Sequence, residues 1–346
     1  MDNFEITTPV ELTQALIENM PTARFLTANF FGEQVHGTEM VGVDIVKGTR
    51  KIAPFVARNG ESVTSHRDDY TTKFFNTHSI SLKRPTDAID MFKRAPGEGI
   101  VYVGSARNPA EAAAEILGRD QAELANMVLR TIEKYASDAF FDGKVTINDA
   151  NGNELDEIDF GVKASHYITK SGTALWTASA ADIAGDLEDM ATLIAQDSGL
   201  TATDAILGGK ASRALLKNEK VQSLLDVRNL NSGALTLDLT VGNGARFLGY
   251  LGGLRIWRYD ETFADNTGAI SPIVPANKVL VLSKDIRATV HYGLINDVQG
   301  GKFASKMFSK TWEQDDPSVN WLCVKSSPLP VIEQADGFAV ATVVGA

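Results

Sequence analysis

"KTWEQDDPSVNWLCVKSSPLPVIEQADGF", residues Lys310 to Phe338, sets two tryptophans around an Asp-Asp-Pro turn and follows them with a Ser-Ser-Pro-Leu-Pro run. Two readings compete for it: an acidic catalytic or metal-binding loop, or a device that holds a chain end in place. Asp315 and Asp316 are adjacent, and adjacent residues on an extended chain point opposite ways, so they make a poor carboxylate pair. Followed by Pro317, they predict a solvated turn between two strands. Trp312 and Trp321 supply large apolar area on those strands, and Pro328 and Pro330 set a bend before a last strand, "FAVATVV". The stretch tilts toward architecture.

The rest of the chain has room for it. With 346 residues and 44% apolar content, there is enough for a sizeable core in two domains, or in one with large excursions. No apolar run approaches the ~20 residues of a bilayer span, and "MDNFEITTPVEL" lacks the basic start and apolar core of a signal peptide, so the expected compartment is cytoplasmic and no membrane is involved. Cys323, the single cysteine, sits among Trp321, Leu322 and Val324 and is expected to be a buried strand thiol. A formal net charge of -11 makes phosphate backbones poor partners, while suiting a surface that lies close to nucleic acid without sticking to it.

From Val10 to Met20, Leu12, Ala15, Leu16 and Met20 form one helical stripe that Pro21 stops. "ARFLTANFF" adds Phe25, Leu26, Phe30 and Phe31, an apolar arm that must pack on something. Residues 41–85 predict a long two-stranded excursion with a turn at Asn59-Gly60, and Phe74, Asn76, His78, Ile80 and Leu82 alternate like a strand with one covered face. Its basic residues Lys47, Arg50, Lys51, Arg58 and Arg67 suggest that it leans on another surface. Asn108 and Pro109 open a helix; after Gly118, Asp120 is expected to cap a second, longer one ending at Asp142-Gly143. "KVTINDANGNELDEIDFGV" predicts a hairpin, "TKSGTALWTAS" a polar linker, and residues 180–284 a compact α/β unit.

Each candidate catalytic motif fails on its geometry. "LGGKAS" resembles the end of a phosphate loop, but Asp204 stands in place of the first glycine and Ala211 in place of the magnesium-holding Ser or Thr. Gly242, Gly244 and Gly249 have the wrong spacing for a dinucleotide fingerprint. Asp149, Asn151 and Asn153 begin like a calcium loop, yet Glu154 and Phe160 occupy its glycine and glutamate positions. His36, His66, His78, His166 and His291 are scattered, without a partner three or four residues away. No catalytic, cofactor or metal residue is expected.

In order, and over nearly its whole length, the chain resembles the major capsid protein of lambda-like tailed phages, the capsid protein E family, which has the Hong Kong 97 capsid fold. The residues that carry this are "VDIVKGTRKIAPFVARNGESV", "AELANMVLRTIEKYASDAFFDGKVTINDANGNELDEIDFG", "SGTALW" and "YGLINDVQGGKFASKMFSKTWEQDDPSVNWLCVKSSPLPVI". Their succession is more specific than any one of them.

The resemblance implies an α+β fold with an N-terminal arm (1–40), an extended loop (41–84) lying over a neighbouring subunit, a peripheral domain (85–180 and 285–346) and an axial domain (181–284). The closing stretch would tie the returning chain into the peripheral sheet. The resemblance also implies hexamers and pentamers of this chain in an icosahedral shell, assembled in a host cytoplasm around double-stranded DNA that is enclosed without specific binding. Separate scaffold and portal proteins, with room for a decoration protein, are expected partners. No residue matches the lysine to asparagine cross-link of some relatives, so no covalent network is expected. Phe25, Phe30, Phe31, Arg50, Arg58 and Arg67 are the candidate intersubunit contacts. Residues 1–84 are expected to be too extended to be satisfied within their own molecule. The alternatives are a nanocompartment shell of the same fold, or an α/β enzyme.

Overall fold

The computed structural model describes residues 8–19, 24–46, 70–87, 109–149, 151–179, 181–223, 244–265, 268–298, 301–316 and 319–345. Helix α1 (Pro9–Glu18) starts at a capping box, in which the Thr8 hydroxyl accepts the Glu11 amide and the Glu11 carboxylate accepts the Thr8 amide. Its buried residues Leu12, Thr13 and Leu16 face the body. The Thr13 hydroxyl accepts the Ser309 amide at 3.1 Å and donates to the Ser309 carbonyl at 3.3 Å. Helix α2 (Phe25–Phe30) and strand β1 (Gly32–Val35) complete the arm.

The described residues of the arm are therefore satisfied within their own chain, contrary to expectation. Phe25 packs its ring 5.2 Å from Trp257 and 5.5 Å from Tyr259, and Phe31 lies 5.3 Å from Phe140. Aromatic residues in a short arm need a large apolar surface, and the body supplies one.

Strands β2 (Met40–Val46) and β3 (Tyr70–Asn76) pair antiparallel as the base of the extended hairpin. Its tip, including Asn59-Gly60, lies outside the described residues. Strand β4 (Ile80–Asp87) continues from it. The covered face holds Phe75 and then Ile80 and Leu82, while Phe74 and Asn76 are exposed, because Thr77, His78 and Ser79 break the strand and reset the phase. One alternation through all of them was expected.

Helix α3 runs unbroken from Pro109 to Phe141. Its 33 residues span about 50 Å at 1.5 Å each. Two helices were expected here. A mid-helix glycine costs only about 1 kcal/mol, so Gly118 does not break it. Asp120 makes no cap; its carboxylate instead accepts Arg84 Nη1 at 2.7 Å. Leu124, Val128, Ile132, Ala136 and Ala139 form the buried stripe.

A hairpin of β5 (Lys144–Asn148) and β6 (Glu154–Asp159) follows, as expected. Asp149 closes its turn by accepting the amides of Asn151 and Asn153, both at 2.8 Å. After strand β7 (Tyr167–Thr169), the expected polar linker is partly core: Trp176 is 2% exposed and donates its indole N–H to Asp186 at 2.9 Å.

Helix α4 (Ile183–Asp197), strand β8 (Asp204–Leu207), helix α5 (Gly209–Lys217), strands β9 (Ala245–Leu251) and β10 (Leu254–Tyr259), a small pair β11 (Thr262–Ala264) and β12 (Ile270–Pro272), and strand β13 (Lys278–Leu282) come next. The chain ends through β14 (Ala288–Tyr292), β15 (Ile295–Asp297), β16 (Gly301–Phe303), β17 (Phe308–Gln314), β18 (Val319–Ser326), β19 (Pro328–Ile332) and β20 (Phe338–Thr342).

A six-stranded sheet in the order β7-β20-β13-β8-β10-β9 separates two cores. Ile206, Leu280, Leu282 and Phe338 face the core built on α3 and the arm, whereas Leu207, Val279, Val281 and Ala339 face the core under α4 and α5. The opening stretch spans three sheets. β17, β18 and β4 form one, with Trp312 opposite Trp321; β19 pairs with β14; β20 enters the six-stranded sheet. Strand β20 lies between β7, from the segment expected to be peripheral, and β13, from the segment expected to be axial, and its alternate residues serve both cores.

Candidate functional site

Buried charges are the first places to look for chemistry, because an unpaired one is costly and an activated one is useful. Glu133 is fully buried and accepts four donors: the Leu26 amide at 2.7 Å, the Thr27 amide at 3.0 Å, the Thr27 hydroxyl at 2.8 Å and the Tyr259 hydroxyl at 2.9 Å. Burial pushes its carboxyl above the usual carboxylate range, and those donors only partly offset this. It caps the N-terminus of α2 and docks the arm on the long helix.

Asp297 is paired with Lys310 at 2.8 Å and Lys325 at 2.6 Å. Asp204 accepts Arg255 at 2.6 Å and the Trp257 indole at 2.8 Å. All three carboxylates are held by donors from distant strands or helices. They stitch elements together.

The histidines behave likewise. His166 is buried between Asp197 at 2.9 Å and the Phe338 carbonyl at 2.6 Å. His36 Nε2 lies 2.8 Å from His291 Nδ1, a meeting between β14 and the residue after β1 that sequence spacing did not show. Burial, with His36 beside it, lowers the His291 pKa to about 4. The next carboxylate, Glu333, stands 3.8 Å from its Nε2. Among the described residues no group of three or more His, Cys, Asp or Glu could hold a metal ion, and no helix is long and apolar enough to cross a membrane.

The strand, Gly-Gly, helix junction between β8 and α5 is closed to a phosphate. The amides of Lys210 and Ala211 both donate to the Ala276 carbonyl, at 2.8 and 3.0 Å. A Cβ on Gly208 would fall 2.2 Å from the Pro275 carbonyl oxygen. Backbone fills the space a cradle would need.

What the fold leaves open is surface. Met40, Gly42, Phe74 and Asn76 share the outer face of the β2–β3 ribbon, with Phe74 69% and Met40 54% exposed. A Cβ on Gly42 would come 3.1 Å from the Phe74 ring, so the glycine lets that ring lie against the strand. On the opposite face Val41 is buried, and Lys73 donates to the Asp159 carbonyl at 2.9 Å. The ribbon root is fixed where the Thr77 amide and hydroxyl both donate to the Glu39 carbonyl, at 3.1 and 2.9 Å. The result is a rigid base carrying an apolar outer face.

Of the candidate contact residues, Phe25, Phe30 and Phe31 are brought together inside the chain's own core. Little of their side chains is left for a neighbour. Arg50, Arg58 and Arg67 lie outside the described residues. Met40 and Phe74 were passed over; the signal available was a glycine positioned to pair with an aromatic across a predicted hairpin.

The chain from residue 8 to residue 343 matches the family described as Phage major capsid protein E. Among solved structures it is similar to the capsid protein of a prophage of E. coli CFT073, with a TM-score of 0.74 and 20% identity over 98% of this chain and 99% of that one. A phage-related protein from Bordetella bronchiseptica RB50 matches with a TM-score of 0.54 and 12% identity, over 97% of each chain. The mature capsid of bacteriophage PhiM1 matches with a TM-score of 0.52 and 12% identity, over 93% of this chain and 87% of that one. Identity this low speaks for the fold alone. No curated protein matches the chain.

Proposed function

Because the chain belongs to the phage major capsid protein E family, we propose that it is the repeating unit of an icosahedral phage head that encloses packaged double-stranded DNA. The observation that carries this is the family match over nearly the whole chain, arm and closing stretch included. Its function is mechanical. A standard interface of ~1,600 Å² at ~25 cal/mol per Å² has a gross apolar term of tens of kcal/mol before entropy losses, and a shell subunit has several such interfaces. The exposed Met40 and Phe74 face supports a role for the hairpin as one of them.

The proposal includes a separate scaffold, a portal and a place for a decoration protein, with assembly in the host cytoplasm. It keeps Arg50, Arg58 and Arg67 as partners for acidic patches on a neighbour. Electron microscopy and light scattering test it, on the chain produced alone and together with the products of adjacent genes. Megadalton shells are expected with those products. Monomers or small oligomers in both preparations would overturn it, and accurate closed shells from the chain alone would count against the scaffold.

A further inference from the structure

Helix α5 turns Lys210, Arg213 and Lys217 outward, at the spacing that stacks side chains along one helix face. All three are exposed, and none has an ion-pair partner among the described residues. With Trp176, Val344 and one carboxylate, Glu219, they line a cavity of about 460 Å³ in which cations outnumber the anion three to one. Ala211, Ala214 and Leu215 anchor the opposite side of the helix in the core. The cations are thus presented rigidly, in a concave site, on a chain whose net charge is -11.

The complementary charge lies on the same face of the same sheet. Helix α4 packs over β13 and β20, α5 over β10, and their buried residues share one core. The solvent side of α4 carries Glu188 and Asp189, exposed and likewise without an ion-pair partner among the described residues. One protomer therefore offers a basic cleft and an acidic ridge on two different helices.

A two-fold contact would also set cleft on ridge, twice over, but it ends at a pair and cannot build the hexamers and pentamers that the capsid reading calls for. A rotation that repeats head to tail uses both patches of every copy and closes into a ring. We propose that in the shell the Lys210, Arg213 and Lys217 cleft receives the Glu188 and Asp189 ridge of a neighbouring copy, and that this contact sets the ring within a capsomer. The inference rests on the capsid reading and adds to it a named interface. Such a contact guides specificity and weakens as salt screens it.

The test uses the full chain in whichever preparation gives shells. Arg213→Glu with Lys217→Glu is expected to cut shell yield at least tenfold with the protomer's melting temperature unchanged, and Glu188→Lys with Asp189→Lys in the same chain is expected to restore it. An independent variant pairs Arg213→Cys with Glu188→Cys in a chain whose own Cys323 is buried. Oxidised shells of it should run as a ladder of oligomers on a non-reducing denaturing gel. Shells that form equally well from the charge-reversed protein, or intact shells of the cysteine variant that run as monomers, overturn the contact. Absence of shells from the unaltered chain counts against the capsid reading itself.

Discussion

Glu133 and Leu26 are joined by a 2.7 Å hydrogen bond from the Leu26 amide to a carboxylate that is wholly inside the protein. One side chain of the long helix thereby closes the first turn of the arm helix. The Thr27 amide and hydroxyl depend on the same group. Replacing it with alanine leaves several buried donors without an acceptor, which is costlier than losing the bonds themselves.

Glu133→Ala should therefore destabilise the protomer by about 3 kcal/mol, with the loss concentrated in the arm. Hydrogen exchange localises it. The Leu26 and Thr27 amides should exchange much faster while those of β13 keep their protection; uniform acceleration would show that the carboxylate does not specifically hold the arm.

Acid should weaken the seat of β1. The His291 pKa of about 4 lies below the 6.5 of an unfolded histidine, so the unfolded chain takes up the proton first as the pH falls. The stability contributed by the neutral ring is complete above about pH 6.5, declines toward pH 4 and has gone below that. Solvent screening keeps the contribution of this partly covered pair below the roughly 3 kcal/mol that the shift alone would imply. Unfolding midpoints of the chain and of His291→Gln should diverge in slope between pH 6.5 and 4. Parallel slopes would remove this histidine from the account.

Gly208→Ala should destabilise the junction between β8 and α5 by about 3 kcal/mol, because the new Cβ meets main chain that cannot swing away. Gly152→Ala, in an open turn, meets nothing within 4 Å, and its cost is the strain of an alanine at a positive φ of 87°, about 1 kcal/mol. The two melting temperatures should separate clearly, the first falling much further.

Phe74→Asp puts a charge on the outer face of the ribbon, where no described side chain depends on the ring for burial. The protomer should melt as before, within about 0.5 kcal/mol, while shell yield drops sharply. Normal yield would show that this face stays in solvent.

Much of this was legible from residue chemistry. The turn at Asp315 and Asp316 between tryptophan strands, the hairpin closed by Asp149 and the stripe on α3 follow local rules of spacing and turn preference. The continuity of α3 was not legible, because Gly118 and Asp120 carry the same local signal whether they end a helix or lie within one; in the fold the Asp120 carboxylate takes Arg84, from a distant strand, in place of a capping amide. The position of the arm was not legible either. Phe25 and Phe31 announce that they need cover, but sequence cannot say whether the cover is one's own long helix or a neighbour's. The charge complement of α4 and α5 was hidden for a similar reason: each helix reads as an ordinary solvated face until both are seen on one side of one sheet.

Strand β20 lies between β7 and β13, yet it is made long after both. On the ribosome, the place between β7 and β13 stays empty until residues 338–342 emerge, and until then each core lacks the alternate side chains that β20 gives it. A chain cut short in translation would keep sticky, unsealed interiors and offer itself to proteases or chaperones.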